Sequence, residues 1–291
     1  MALCYLNGEF LPLERACVPV MDRGFLFGDG AYEVVPAYGR RLFRLQAHLE
    51  RLANSLHALR IPNPLEPDAW RTLLETLVQR NEGEDQSVYL QVTRGVFPKR
   101  DHAFGGQAVR PTLFAMSHPI PAPDPGIAAQ GIAAVTLEDI RWAWCNVKAI
   151  TLLPNALLRQ QAIDAGAAEA LLVREGRVLE GAASNLFLVR QGVLVTPPKS
   201  HLLLPGITRD LVLELAHRAG IPTEERDIPA GELRQADELW ITSSTREIVP
   251  VTRLDGAAVG DGRPGPLYRR LHGLYQEYKA AFRRGEVEGE G

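Results

Sequence analysis

The chain has 291 residues, 46% hydrophobic and 23% charged, a balance that supports one large or two ordinary globular domains. A formal net charge of −3 offers no basic surface for nucleic acid or an anionic membrane, and no run approaches the ~20 apolar residues of a membrane span. Cys4, Cys17 and Cys145 form neither a CxxC pair nor a disulfide framework, and no basic-then-apolar leader opens the sequence, so a reducing, cytoplasmic location is expected.

Residues 5–11 read as a hairpin turning at Asn7-Gly8. The next glycines, Gly24, Gly28 and Gly30, match neither GxGxxG nor a Gly-Lys-Ser/Thr phosphate loop. A tight Gly28-Asp29-Gly30 turn feeding a strand over 31–38 fits better, with Tyr32 and Val34 on one face and Glu33 and Val35 on the other. After a second short strand, Leu45, Leu49, Leu52, Leu56 and Leu59 make a helical stripe, with His48 and Arg51 off it. A second helix is predicted over 67–80. Strands at 88–94 and 112–116 follow, with Arg100 and His102 in the loop between them.

Pro119, Pro121, Pro123 and Pro125 cannot occupy a helix interior or a central strand. They predict a stiff linker over 119–126, between a small α/β domain at 1–118 and a larger domain at 127–291. Strand 131–137 opens the second half. Residues 141–150 then alternate bulky and small side chains as a strand would, ending near Lys148. A helix over 153–165, strands at 168–173, 178–179, 186–189 and 193–196, a helix opening near Gly206, a buried strand at 238–242 and a helix over 267–282 complete the prediction. The polar tail 283–291 is expected to fray.

Of four lysines (Lys99, Lys148, Lys199 and Lys279), only Lys148 is embedded between apolar neighbours. Desolvation favours a neutral amine, the form suited to Schiff-base chemistry; the alternative is a lysine snorkelling from a strand end. Gly206-Ile207-Thr208 at a helix start offers unpaired N–H groups to an anion. Ser243-Ser244-Thr245 after a buried strand could complete the cradle, and Arg51 could add a fixed charge. The ordinary readings are an N-cap, a turn and a solvated arginine. Glu180, ending an apolar strand before small residues, suits a flat ring with a protonatable nitrogen; otherwise it is a surface carboxylate. The seven histidines are scattered, and neither HExxH, a Cys/His cluster nor Gly-x-Ser-x-Gly occurs, so no metal site and no hydrolase elbow is expected.

In order, the following stretches form a specific set: Asp22-Arg23-Gly24, Phe27-Gly28-Asp29-Gly30, Tyr32-Glu33-Val34-Val35, Gln91-Val92-Thr93-Arg94-Gly95, Glu138-Asp139-Ile140-Arg141-Trp142, Lys148, Glu180-Gly181, Ser184-Asn185, Gly206-Ile207-Thr208-Arg209-Asp210, and Thr242-Ser243 with Glu247-Ile248. They resemble the fold-type IV, pyridoxal-phosphate-dependent aminotransferases, and among these the bacterial D-amino-acid aminotransferases. The resemblance implies the two-domain, mixed α/β fold-type IV architecture and pyridoxal 5'-phosphate as cofactor. It also implies Lys148 as the Schiff-base lysine and proton carrier, and Glu180 on the pyridine nitrogen. Arg51, Ile207, Thr208, Ser243 and Ser244 would stand around the phosphate. Tyr32, Arg100 and His102 would trap the substrate carboxylate, the last two reaching in from the neighbouring subunit of a homodimer with its active site at the interface. Substrates would be a D-amino acid such as D-alanine and a 2-oxo acid, 2-oxoglutarate or pyruvate. Branched-chain L-aminotransferases and aminodeoxychorismate lyases share the cofactor residues without the Arg-x-His pair. A silent phosphate-binding scaffold is the alternative from another class. Ala182 and Ala183 replace serines usual in the D-specific enzymes, and Lys99 lengthens the loop before Arg100 by one residue.

Overall fold

The computed structural model describes residues 2–105 and 109–288; the end of the tail expected to fray, 289–291, lies outside them. The chain divides into two compact units. The first comprises Met1–Pro121, Val147–Leu152 and Phe282–Gly291, and the second Ala122–Asn146 and Leu153–Ala281.

The first unit is an antiparallel sheet backed by two helices. Its strands are β1 (Leu3–Leu6), β2 (Glu9–Pro12), β3 (Gly30–Tyr38), β4 (Arg41–Leu42), β5 (Gln86–Thr93) and β6 (Thr112–Pro119), in the spatial order β2-β1-β6-β5-β3-β4. The short helix α1 (Arg23–Phe27) starts under an Asp22 cap and ends at Gly28, whose φ of 65° is the left-handed geometry that favours glycine. Two longer helices, α2 (Leu45–Ala58) and α3 (Pro67–Arg80), lay their leucine stripes on the sheet. Leu45, Leu49, Leu52, Leu56, Leu74 and Leu77 meet Val35, Val88, Leu90 and Val92 there. Period-2 alternation in β3 turns Ala31, Glu33, Val35 and Ala37 toward this core, so a carboxylate enters an apolar layer.

The second unit holds α4 (Pro125–Gln130), β7 (Ile132–Glu138), α5 (Leu153–Asp164), β8 (Glu169–Arg174), β9 (Arg177–Gly181), β10 (Asn185–Arg190), β11 (Val193–Thr196), α6 (Ile207–Arg218), β12 (Thr223–Glu225), β13 (Ile228–Pro229), β14 (Glu238–Ser243), β15 (Glu247–Leu254), β16 (Ala257–Ala258) and most of α7 (Pro266–Arg284). Its mixed sheet runs β12-β11-β10-β14-β15-β7-β8-β9-β13, with β16 on β15. The pairs β15–β7, β7–β8 and β11–β12 are parallel. Among the described residues no helix is long and apolar enough to cross a membrane.

Three expectations change. The stiff linker expected over 119–126 is shortened at both ends, Pro119 closing β6 and Pro125 opening α4, where a missing N–H costs nothing, while the boundary between the units falls inside it, between Pro121 and Ala122. Residues 141–150 are not a strand. Arg141 is drawn to Asp139, and the N–H groups of Cys145 and Asn146 share the His201 carbonyl. That turns the backbone and leaves Trp142 and Trp144 exposed. Finally, the sequence reading put Lys148 in the C-terminal domain, but its segment groups with the first unit. Ala149 bridges Ala31, and the Tyr32 N–H donates to the Lys148 carbonyl at 3.0 Å.

Candidate active site

Each unit holds a buried cluster of its own. In the first, His48, Arg51 and Ser55 succeed one another at three- and four-residue spacing on α2, which places them on one helix face. That face meets β3. Glu33 Oε1 accepts from Arg51 Nε at 2.7 Å, Glu33 Oε2 accepts from Arg51 Nη2 at 2.8 Å, and His48 Nδ1 lies 2.8 Å from Oε2. Burial alone would raise the Glu33 pKa, but the Arg51 guanidinium and the His48 contact hold it well below the usual carboxylate range. Burial depresses the His48 pKa, against the pull of Glu33, which favours the neutral imidazole.

Ser55 Oγ accepts the Lys148 N–H at 3.1 Å. Lys148 itself is half-buried, between buried Val147 and Ala149, and its Nζ lies 4.2 Å from the centre of the Tyr32 ring. Tyr32 stacks on Tyr89 at 5.7 Å. Tyr32 and Lys148 are therefore brought together, as are Glu33, His48 and Arg51. Arg100 and His102 are exposed and converge elsewhere in this unit, on Phe27: the Arg100 guanidinium is 4.8 Å from the ring centre and the His102 ring 5.3 Å.

In the second unit, Glu180 is 3% exposed near the end of β9. Arg141 Nη1 donates to its Oε1 at 2.5 Å, Asn185 Nδ2 to its Oε2 at 3.2 Å, and the Leu204 N–H reaches both oxygens at 3.2 and 3.1 Å. Arg141 is shared: its Nε and Nη2 bind Asp139 at 2.9 and 3.0 Å. Burial pushes the Glu180 pKa up to about 7, with Arg141 opposing only in part. Two residues beyond Leu204, Gly206 is the N-cap of α6, and among the described residues no side chain caps that helix. A Cβ on Gly206 would come within 1.8 Å of Asn185 Oδ1, so glycine is what lets the turn pass the Glu180 cluster. Ile207 and Thr208 open the helix, with Thr208 7% exposed. Helix α6 packs on β14, where Thr242 Oγ1 is buried with no hydrogen-bond partner among the described residues, beside half-buried Ser243 and Ser244. An uncapped helix start, an orphaned hydroxyl and a buried carboxylate short of positive charge suit, in turn, a phosphate and a protonated ring nitrogen. Among the described residues no group of three or more His, Cys, Asp or Glu is placed to hold a metal ion.

Residues 30–254, the span that carries both clusters, match the family model for amino-transferase class IV.

The chain belongs to the class IV aminotransferases.

Relatives within that class include the D-alanine aminotransferase of Bacillus licheniformis, 39% identical over 93% of this chain and 94% of that one. The D-alanine aminotransferase of Staphylococcus haemolyticus is 35% identical over 96% and 98%. Among solved structures, the branched-chain amino acid aminotransferase of Escherichia coli aligns with a TM-score of 0.89 at 28% identity, covering 94% of this chain and 93% of that one. A branched-chain enzyme from T.th., solved with pyridoxamine 5'-phosphate, aligns at 0.88 and 29%, covering 99% and 96%.

Sequence reasoning assigned no role to Glu33, His48, Arg141 and Asn185, which the structure places in the two buried clusters. A carboxylate at a core-facing position of an apolar strand was a usable signal for the first, because a buried charge demands a partner. For Asn185 and Arg141 only the family motifs offered a hint.

Proposed function

We propose that this class IV aminotransferase is a pyridoxal 5'-phosphate enzyme that moves an amino group between a D-amino acid, with D-alanine as the first candidate, and a 2-oxo acid such as 2-oxoglutarate or pyruvate. The observation that carries the cofactor reading is Glu180, a buried carboxylate whose own partners leave it short of positive charge. The D-amino acid reading draws on the D-alanine aminotransferase relatives.

When bound, pyridoxal phosphate supplies an aldehyde for the amino group and a ring that withdraws electrons from the substrate Cα. Glu180 keeps the ring nitrogen protonated. Ile207 and Thr208 at the start of α6, with Ser243 and Ser244, bind the phosphate, and Arg51, its plane fixed by Glu33, adds charge. Lys148 is the covalent anchor, and its Nζ takes the proton from the substrate Cα. Tyr32, Arg100 and His102 receive the substrate carboxylate, which orients Cα–H toward the lysine.

A homodimer, with each subunit's Arg100–His102 loop serving the other's site, is supported by the large apolar side chains left on the surface: Phe25, 74% exposed, Val20, 68%, and Leu153, 70%. Three free cysteines support a cytoplasmic location.

The test is reductive trapping. Borohydride should fix a pyridoxyl group on Lys148 in the yellow protein, and Lys148→Ala should keep the fold while losing on the order of 10⁴-fold or more in turnover. An adduct on another residue, or none, would overturn the reading. The branched-chain structural neighbours favour a second substrate reading. Paired assays of D-alanine and L-leucine with 2-oxoglutarate separate the two, since activity with L-leucine alone would refute D-specificity.

A further inference from the structure

We propose that Arg23 is a positioning residue for substrate recognition: it holds the loop that presents Arg100 and His102, and so sets the affinity for the substrate carboxylate. This rests on the reading that Arg100 and His102 receive that carboxylate.

Arg23 is 4% exposed, and a guanidinium so deeply buried is tolerated only when its donors are spent on well-placed acceptors. Nε binds Asp29 Oδ2 at 2.7 Å. Nη1 donates to the carbonyl of Asp101 at 2.5 Å, and Nη2 to the carbonyl of His102 at 3.2 Å. Two of its three nitrogens are therefore committed to the main chain of the dipeptide that follows Arg100. Bonds to carbonyls fix the course of the backbone and consume neither the Arg100 guanidinium nor the His102 imidazole.

The surrounding contacts act in the same direction. The Phe27 ring has the Arg23 guanidinium at 4.6 Å, the Arg100 guanidinium at 4.8 Å and the His102 ring at 5.3 Å. Asp29, which aims Arg23, also takes a two-pronged bond from Arg94 at 2.8 and 2.9 Å, and the Arg94 guanidinium lies 3.7 Å from the centre of the Phe104 ring. The loop is thus gripped at 101–102 by one arginine and at 104 by another, both steered by one aspartate. A lysine at position 23 could reach one of these acceptors but not three diverging ones.

Holoenzyme kinetics with D-alanine and 2-oxoglutarate test this, using Arg23→Lys, Arg23→Met and Arg100→Ala. Phe27→Leu loosens the same loop without removing a buried charge, and so covers the case in which the Arg23 variants fail to fold. The expected result is a rise in KM for D-alanine of roughly tenfold with kcat changed less than about threefold. The dissociation constant for pyridoxal phosphate and the half-reaction rate with a carboxylate-free amine, (R)-1-phenylethylamine, should not move. Adding Arg23→Met to an Arg100→Ala, His102→Ala pair should raise KM no further than the pair alone, because Arg23 acts through those two side chains. The proposal is overturned if Arg100→Ala raises KM while the Arg23 and Phe27 variants do not. It is also overturned if the Arg23 effect persists in full on the Arg100→Ala, His102→Ala pair, or if cofactor affinity falls in step with KM. An Arg100→Ala enzyme with unchanged KM sinks the carboxylate-trap reading itself, and the role of Arg23 with it.

Discussion

Glu33 and Glu180 are both buried carboxylates facing an arginine, yet their acidities move in opposite directions. Glu33 has a whole guanidinium edge, two parallel bonds from Arg51, and a histidine besides. Glu180 has a single nitrogen of Arg141, whose other two are held by Asp139. The first carboxylate is satisfied by its own protein, while the second still lacks positive charge, which a protonated pyridine would supply. On the proposed reading the same residue type is structural in one unit and chemical in the other; both are buried, and how much of a neighbouring arginine each receives separates them.

The contrast can be broken most sharply at the chemical end. Glu180→Gln should cut kcat with D-alanine by roughly 10²- to 10⁴-fold, because a neutral amide does not hold a proton on the ring nitrogen; circular dichroism should show the fold intact. Glu33→Gln should do the reverse. It strands Arg51 in the core, so denaturant titration should show a stability loss of about 3–5 kcal/mol, while kcat at saturating cofactor should fall less than about tenfold. Equal effects of the two substitutions on both readouts would erase the distinction.

A pH series sharpens it. Glu180 titrates near 7 when folded and near ~4.3 when unfolded, so the folded chain binds the extra proton between those values and its stability falls as pH rises through them. Relative to Glu180→Gln, the cofactor-free protein should lose on the order of 3 kcal/mol between pH 5 and pH 8. Glu33, depressed, contributes in the opposite sense: its stabilisation is present above ~4.3 and is lost as pH falls toward its folded value. The smallest effect is expected from Gly206→Ala. The new methyl displaces Asn185 from Glu180, and equilibrium dialysis should show cofactor affinity reduced by roughly tenfold, with Tm changed by only a few degrees.

Much of the scaffold was legible because it rests on periodicity. The leucine stripe of α2 and the alternation in β3 read directly as helix and strand. The Lys148 stretch misled for the same reason, since Trp142 and Trp144 alternate with small residues in a turn-rich segment where no ladder forms. His48 and Arg51 lie off the leucine stripe yet are buried, because a carboxylate 15 and 18 residues upstream awaits them. Pairing at that distance leaves no trace in local pattern. Strand β15 went unpredicted although nearly all of it is buried, as Pro250 and Thr252 interrupt its apolar run. The helix start at Gly206-Ile207-Thr208 was readable because it is a property of a few adjacent residues.

The short segment Val147–Leu152 joins the first unit only after more than a hundred residues have intervened since its bridge partner Ala31. A ribosome releases the N-terminal sheet long before it makes the amine this sheet cradles. The nascent intermediate therefore waits with Ser55 and the edge of β3 unoccupied, and this step should be late and slow in assembly. Cutting the gene at Pro121 would not yield a self-sufficient half. Anyone grafting or permuting this scaffold must carry the 147–152 insert along with the sheet it completes.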